Sequence, residues 1–191
     1  MEDFECIATN ELIERRLNVQ KFNKKCKYDT GYICGDITLE ETKKKLFNEI
    51  KMWEKNEKLD NVDVVIATPP CQGMSVANLK KNNEMNRNSL VVESIKIVKE
   101  IKPKFFVFEN VSAFLKTACI DIDGNVKSIE EAINYNLQKD YVKDMFFVPF
   151  GYFIMFAWLR SVFGRSFFDK ICVVREQVLG YNGKCILCRY T

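Results

Sequence analysis

The chain has 191 residues, 47% hydrophobic and 29% charged, which suits one domain with a sizeable core and excludes general disorder. A net charge of +3 is too small to argue by itself for a nucleic-acid partner. The acidic start, Met1-Glu2-Asp3-Phe4-Glu5, has no basic region ahead of an apolar run, which argues against a signal peptide and for a cytoplasmic location.

In chain order, Phe4 to Ala8 reads as a short strand, followed by a polar helix from Glu11 to Lys27 with Leu12, Leu17 and Phe22 as inward candidates. Tyr32 to Cys34 is a second strand running into Gly35-Asp36-Ile37-Thr38. Leu39 to Lys58 is a charged helix with Leu46, Ile50 and Trp53 at helical spacing. Val62 to Thr68 is a buried strand, and the Asn-rich stretch from Asn78 to Asn88 reads as exposed and mobile. Ser89 then caps a helix whose apolar face is Leu90, Val91, Ile95, Val98 and Ile101; Pro103 ends it, and Lys104 to Phe108 is the next strand. Strands alternating with helices predict an α/β fold with a mainly parallel sheet. Such sheets bind ligands beyond the carboxyl ends of their strands, where Glu11, Asp36, Cys71 and Glu109 all fall.

The tail is different. Residues 142–191 carry 7 Lys and Arg against 3 Asp and Glu, and hold 12 of the 24 aromatic residues; residues 1–141 carry 22 against 23. Met145 to Leu159 is an uncharged run of about 15 residues, short of the roughly 20 that span a bilayer, so no membrane segment is expected. The division is therefore a catalytic-type domain over 1–141 and an aromatic-rich tail over 142–191. The change in composition points to a shifted reading frame, ahead of a divergent ending. Cys185 and Cys188 have the spacing of half a zinc site and Cys172 is a third thiol, but four ligands are needed and the chain has no histidine, so no metal is expected. The eight cysteines show no regular spacing and read as thiols, with Cys6, Cys26, Cys34 and Cys119 as core or surface residues.

"ATPPCQGMS", residues 67 to 75, puts Cys71 on a stiff loop at a strand exit. Pro69 and Pro70 restrict the backbone, and Gly73 lets a ligand approach it closely. A thiol is nucleophilic without a histidine partner, provided that its position is fixed and the electrophile is polarised. Glu109, at another strand exit, is the candidate to do the polarising. A cysteine with a carboxylic acid suits conjugate addition to a ring. Taken singly, Cys71 also fits a packed strand-end thiol and Glu109 a strand-end charge or helix cap.

Pro69-Pro70-Cys71-Gln72-Gly73 followed by Glu109-Asn110-Val111 resembles two signature motifs of the cytosine-5 DNA methyltransferases. Asn10-Glu11, Gly35-Asp36-Ile37 and Arg87-Asn88-Ser89-Leu90 match others in the family's order, so the resemblance covers roughly residues 4 to 115. It implies a methyltransferase fold of Rossmann-like type, here incomplete, and a restriction-modification enzyme that methylates C5 of cytosine in DNA with S-adenosylmethionine. In that reading Cys71 attacks C6 of a flipped cytosine and Glu109 engages N3. Gln72, Gly73, Ser75, Asn110 and Val111 form or support the substrate loops. Glu11 binds the cofactor ribose, Asp36 and Ile37 hold its adenine, and Pro70 and Leu90 line its methionine end.

The family's Gly-rich loop is expected about 20 residues before the ribose ligand, but Glu11 is ten residues from Met1. Its Gln-x-Arg-x-Arg motif and target-recognition region have no match after Tyr141. The expectation is a truncated or split enzyme, completed by a second chain. The alternative is a non-catalytic module that binds nucleic acid or a protein partner on the same scaffold.

Overall fold

The computed structural model describes residues 4–69, 81–111, 113–144, 153–160 and 185–190, with side chains described for 4–69, 90–110 and 113–141. Pro70, Cys71, Gln72, Gly73, Ser75 and Cys172 lie outside the described residues.

β1 spans Phe4–Glu11, α1 Glu14–Phe22, β2 Tyr32–Cys34, α2 Glu40–Glu57, β3 Val64–Ala67, α3 Lys81–Ile101 and β4 Phe105–Val111. A hairpin of β5, Ala118–Ile120, and β6, Val126–Ser128, leads into α4, Ile129–Leu137; then come β7, Tyr141–Asp144, β8, Phe153–Arg160, and β9, Cys185–Tyr190. The main sheet has seven strands in the order β2-β1-β9-β3-β4-β8-β7. β1 pairs parallel with β2 and β3 parallel with β4, whereas β9 is antiparallel to both of its neighbours. β8 is antiparallel to β4 and to β7. Five of the seven strands thus point one way, with β8 and β9 against them.

The alternation of side chains explains why β3, and β4 from Phe105 to Phe108, are apolar at every position. Val65, Ala67, Phe106 and Phe108 join the core beneath the helices, with Leu46, Ile50 and Trp53 of α2, Val91, Ile95 and Val98 of α3, and Ile133 and Leu137 of α4. Val64, Ile66, Phe105 and Val107 point to the other face and are buried too, so an alternating polar strand would not serve here. α4 is launched by a reciprocal cap: Ser128 accepts from the Glu131 amide, and the Glu131 carboxylate accepts from the Ser128 amide. This hairpin and helix carry recognisable signals, Asp123-Gly124 at the turn and Ser128 three before Glu131.

Two expectations need correction. β1 runs on to Glu11, so α1 starts only at Glu14; Leu12 is then ahead of the helix and exposed, and Phe22, its last residue, is 87% exposed. Leu17 alone of the three inward candidates is buried, beside Gln20, whose amide oxygen accepts from the Thr9 hydroxyl at 2.8 Å. The Asn-rich stretch is helical from Lys81, and Ser89 is inside α3 rather than at its start. Between Lys81 and Ile101 there is no Gly or Pro to stop a helix nucleated on the apolar face downstream. Part of the apolar run from Met145 to Leu159, to which no element was assigned from sequence, is strand β8, laid along β4. No helix among the described residues is long and apolar enough to cross a membrane.

Cys6, Cys26, Cys34 and Cys119 are free thiols, Cys6 and Cys26 with their sulfurs 3.3 Å apart. Gly31 packs against both Ile7 and Cys26, and a Cβ there would stand 2.6 Å from the Ile7 carbonyl oxygen and 3.2 Å from the Cys26 Cβ.

Candidate functional site

The carboxyl ends of β1, β2 and β3 and one side of α3 enclose a cavity of about 170 Å³. Glu11, Asp36, Ile37 and Leu90 all line it, so four of the five residues expected at a cofactor come together; the fifth, Pro70, follows the lining residue Pro69. Sequence reasoning missed Arg16 and Ser94. Ser94 sits one turn after Leu90 on α3, a spacing that a helical projection of the family-like Leu90 would have offered.

Each lining residue is held by local structure. Asn10 donates through its side-chain amide to the carbonyls of Ile33 at 3.1 Å and Gly35 at 3.0 Å, pinning the exit of β2 against β1. The Gly35 amide returns a bond to the Glu11 carbonyl at 3.1 Å. α2 passes so close that a Cβ on Gly35 would lie 2.6 Å from the Thr42 hydroxyl, which is why a glycine precedes Asp36. One oxygen of Asp36 accepts from the amide and hydroxyl of Thr38, at 2.9 and 2.8 Å, and fixes the turn.

Glu11 is 2% exposed. Its Oε1 accepts from the Ile13 amide at 3.1 Å, and its Oε2 is buried with no hydrogen-bond partner among the described residues. A buried acceptor left unpaired costs about 1–3 kcal/mol, and this one belongs to a cavity-lining side chain; a ligand hydroxyl would satisfy it. The cavity is smaller than the roughly 300–1,000 Å³ of a complete small-molecule site, which leaves room for one end of such a ligand and asks for a further wall.

On the other side of β3, Glu109 is half-buried near the end of β4, and burial raises its carboxyl above the usual carboxylate range. It does not line the cavity. The adjoining Asn110 is fully buried, and its side-chain amide donates to the Pro69 carbonyl at 2.9 Å. The strand bearing Glu109 therefore grips the β3 exit two residues before Cys71. Val111 closes β4, its backbone paired with Phe153 of β8. Of the residues expected around the substrate, Glu109 and Asn110 are brought to this corner.

Comparison with known proteins finds similar chains. Over 142 residues the chain is 34% identical to the type II methyltransferase M1.HgaI of Avibacterium volantium, covering 71% of this chain and 36% of that protein. It is 31% identical over 104 residues to the orphan methyltransferase M.SPRI of Bacillus phage SPR, with 53% and 23% covered. With the type II methyltransferase M.AquIA of Picosynechococcus sp. it shares 38% over 87 residues, 46% of this chain and 33% of that one. The chain spans about a third or less of the length of these curated relatives. The profile of C-5 cytosine-specific DNA methylases matches residues 1–143, which takes in both the cavity and the Glu109 corner. With three quarters of its length inside that profile, the chain belongs to the C-5 cytosine-specific DNA methylase family.

Proposed function

We propose that this chain is the nucleophile-bearing part of a DNA cytosine-5 methyltransferase of restriction-modification type, working in the cytoplasm with a second polypeptide that supplies the rest. The observation that carries the proposal is the bond from Asn110 to the Pro69 carbonyl, which ties the acid-bearing strand to the root of the Cys71 loop next to a cavity with an unpaired glutamate oxygen.

The roles follow from chemistry. S-adenosylmethionine supplies the methyl group. Glu11 accepts from its ribose hydroxyls, Asp36 and Ile37 hold the adenine, and Pro70 and Leu90 bound the methionine end. Cys71 as thiolate adds to C6 of a cytosine turned out of the duplex, while Glu109, whose carboxyl burial holds above the usual carboxylate range, gives a proton to N3. The electron pair released to C5 would form the new carbon–carbon bond as the methyl–sulfur bond of the cofactor breaks, the electrons of that bond staying on sulfur as the sulfonium becomes a thioether. Loss of the C5 proton to a base then expels Cys71 and returns the proton to Glu109. Gln72, Gly73, Ser75, Asn110 and Val111 shape the two loops around the base. The domain division at residue 141 belongs to the same reading: 1–141 carries the chemistry, 142–191 does not.

The test is covalent capture on DNA containing 5-fluorocytosine with S-adenosylmethionine present, because fluorine at C5 blocks the proton loss that frees Cys71. The remainder of M1.HgaI, outside the part similar to this chain, is supplied as a separate polypeptide. A DNA adduct mapped to Cys71 in the mixture is expected. An adduct formed without the second polypeptide would overturn the need for it, and no adduct in the mixture would overturn the split-enzyme reading.

A further inference from the structure

Two cysteines away from the cavity stand together. Cys6 lies in β1 and Cys26 follows α1, and their sulfurs share a hydrogen bond at 3.3 Å. Their backbones meet in a parallel bridge. Bridged strands run about 4.7–4.9 Å apart, within the Cα separation of about 4.4–6.8 Å that a disulfide requires. The backbone is therefore already placed for the two sulfurs to join. Cys26 is held from both sides: its amide donates to the Tyr32 hydroxyl at 2.8 Å, and a Cβ on Gly31 would lie 3.4 Å from its sulfur. Access to the two thiols differs. Cys6 is half-buried and Cys26 buried. The bond to Cys6, and then burial, push the Cys26 thiol up, so Cys26 is a poor nucleophile while Cys6 remains a thiol.

We propose that Cys6 and Cys26 form a reversible modification site, closed to a disulfide by exchange with a small-molecule disulfide of the glutathione type. Cys6, as thiolate, attacks one sulfur of the small disulfide and expels the other half as a thiolate, leaving a mixed disulfide on Cys6. Cys26 gives its proton to solvent and attacks the Cys6 sulfur, and the second half leaves as a thiolate. Two protein thiols are oxidised and one small disulfide is reduced to two thiols, which take up the two protons. In a reducing compartment such a bond is transient and answers to a rise in small disulfides. The ring it closes contains α1 and five residues that line the cavity, Asn10, Glu11, Leu12, Ile13 and Arg16. α1 is lightly anchored: it buries Leu17 and Gln20, and its cap, Ile13, makes no side-chain bond. Closing the ring removes open conformations from this segment and steadies one wall of the cavity.

The test treats the full chain at neutral pH with oxidised glutathione in about tenfold excess over reduced, then alkylates the remaining thiols and maps the linkages by mass spectrometry. A Cys6–Cys26 disulfide that excess reduced glutathione reverses is expected. Cys26→Ser should leave glutathione on Cys6, and Cys6→Ser should leave Cys26 unmodified, because the half-buried thiol reacts first. In the oxidised chain the amides from Glu14 to Phe22 should exchange with solvent about tenfold more slowly than in the reduced one. A chain that stays reduced at Cys6 and Cys26 would overturn the proposal, and so would linkage of Cys6 to Cys188, its partner across the ladder with β9. Glutathione on Cys26 in Cys6→Ser would overturn the order of attack, and unchanged amide exchange would overturn the restraint on the cavity wall. Should either variant fail to fold, the linkage map of the unaltered chain decides.

Discussion

In β1 an asparagine precedes a glutamate at the strand's carboxyl end, and in β4 the order is reversed: Asn10-Glu11 against Glu109-Asn110. Both asparagines are buried, and each spends its side-chain amide on a neighbouring strand's exit, Asn10 on Ile33 and Gly35 after β2, Asn110 on Pro69 after β3. The glutamates differ. Glu11 has one oxygen fixed by the Ile13 amide and one buried without a partner among the described residues, on a side chain that lines the cavity. Glu109 is partly exposed, and burial of the rest favours its neutral form, an arrangement for giving a proton. In the proposed function one device, an asparagine clamp beside an acid, serves a binding role in one half of the sheet and a chemical role in the other. Surroundings, not residue type, make the difference.

The comparison is broken most severely on the chemical side. Cys71→Ser is expected to remove methyl transfer and adduct formation by at least about 10³-fold in the completed enzyme while leaving DNA binding in place. If the unaltered chain binds DNA yet shows no transfer that this substitution could remove, the non-catalytic module is the better description. Glu109→Gln is expected to slow adduct formation by about 10²–10⁴-fold with the cofactor dissociation constant unchanged.

The pH dependence follows from the raised carboxyl of Glu109. Its neutral form persists to a higher pH than that of an ordinary glutamate, so the acid-dependent part of adduct formation should fall as pH rises through the raised value. Stability has the same sign. The contribution is fully present below the unfolded-chain value and is lost as pH rises through the folded one, because the charged form is the one that burial penalises. Thermal melts of Glu109→Gln should therefore gain on the unaltered chain at pH 8 relative to pH 4. On the binding side the effect is smaller: Glu11→Gln should weaken S-adenosylmethionine binding about ten- to a hundredfold, read by calorimetry, and leave capture at saturating cofactor unchanged.

The helical core was legible because Leu46, Ile50 and Trp53, or Val91, Ile95 and Val98, announce a buried face by spacing alone, and all are buried. Glu11, Asp36, Ile37 and Leu90 were legible from motif order, and they meet at one cavity. The asparagine clamps were not, since a side chain bonding to a carbonyl 23 to 41 positions away leaves no local pattern. Nor was the start of α3, where polar residues extend a helix that apolar ones nucleate. The places of β8 and β9 in the sheet were hidden for a further reason: β9 lies against strands far earlier in the chain and β8 against the distant β4 as well as the nearby β7, and the apolar run from Met145 to Leu159 shows no alternation to mark a strand within it.

The division of labour between the two clamps is tested most directly by a crossed comparison of Asn10→Ala and Asn110→Ala. Each should cost about 1–3 kcal/mol of stability, the price of a buried bond unmade. The cofactor dissociation constant is measured on the chain, and the rate of Cys71 adduct formation at saturating cofactor on the completed enzyme. Asn10→Ala is expected to weaken cofactor binding about tenfold and leave the adduct rate alone, and Asn110→Ala to slow the adduct about tenfold and leave cofactor binding alone. Both variants shifting the same constant, with the other untouched, would contradict the separation of the two halves.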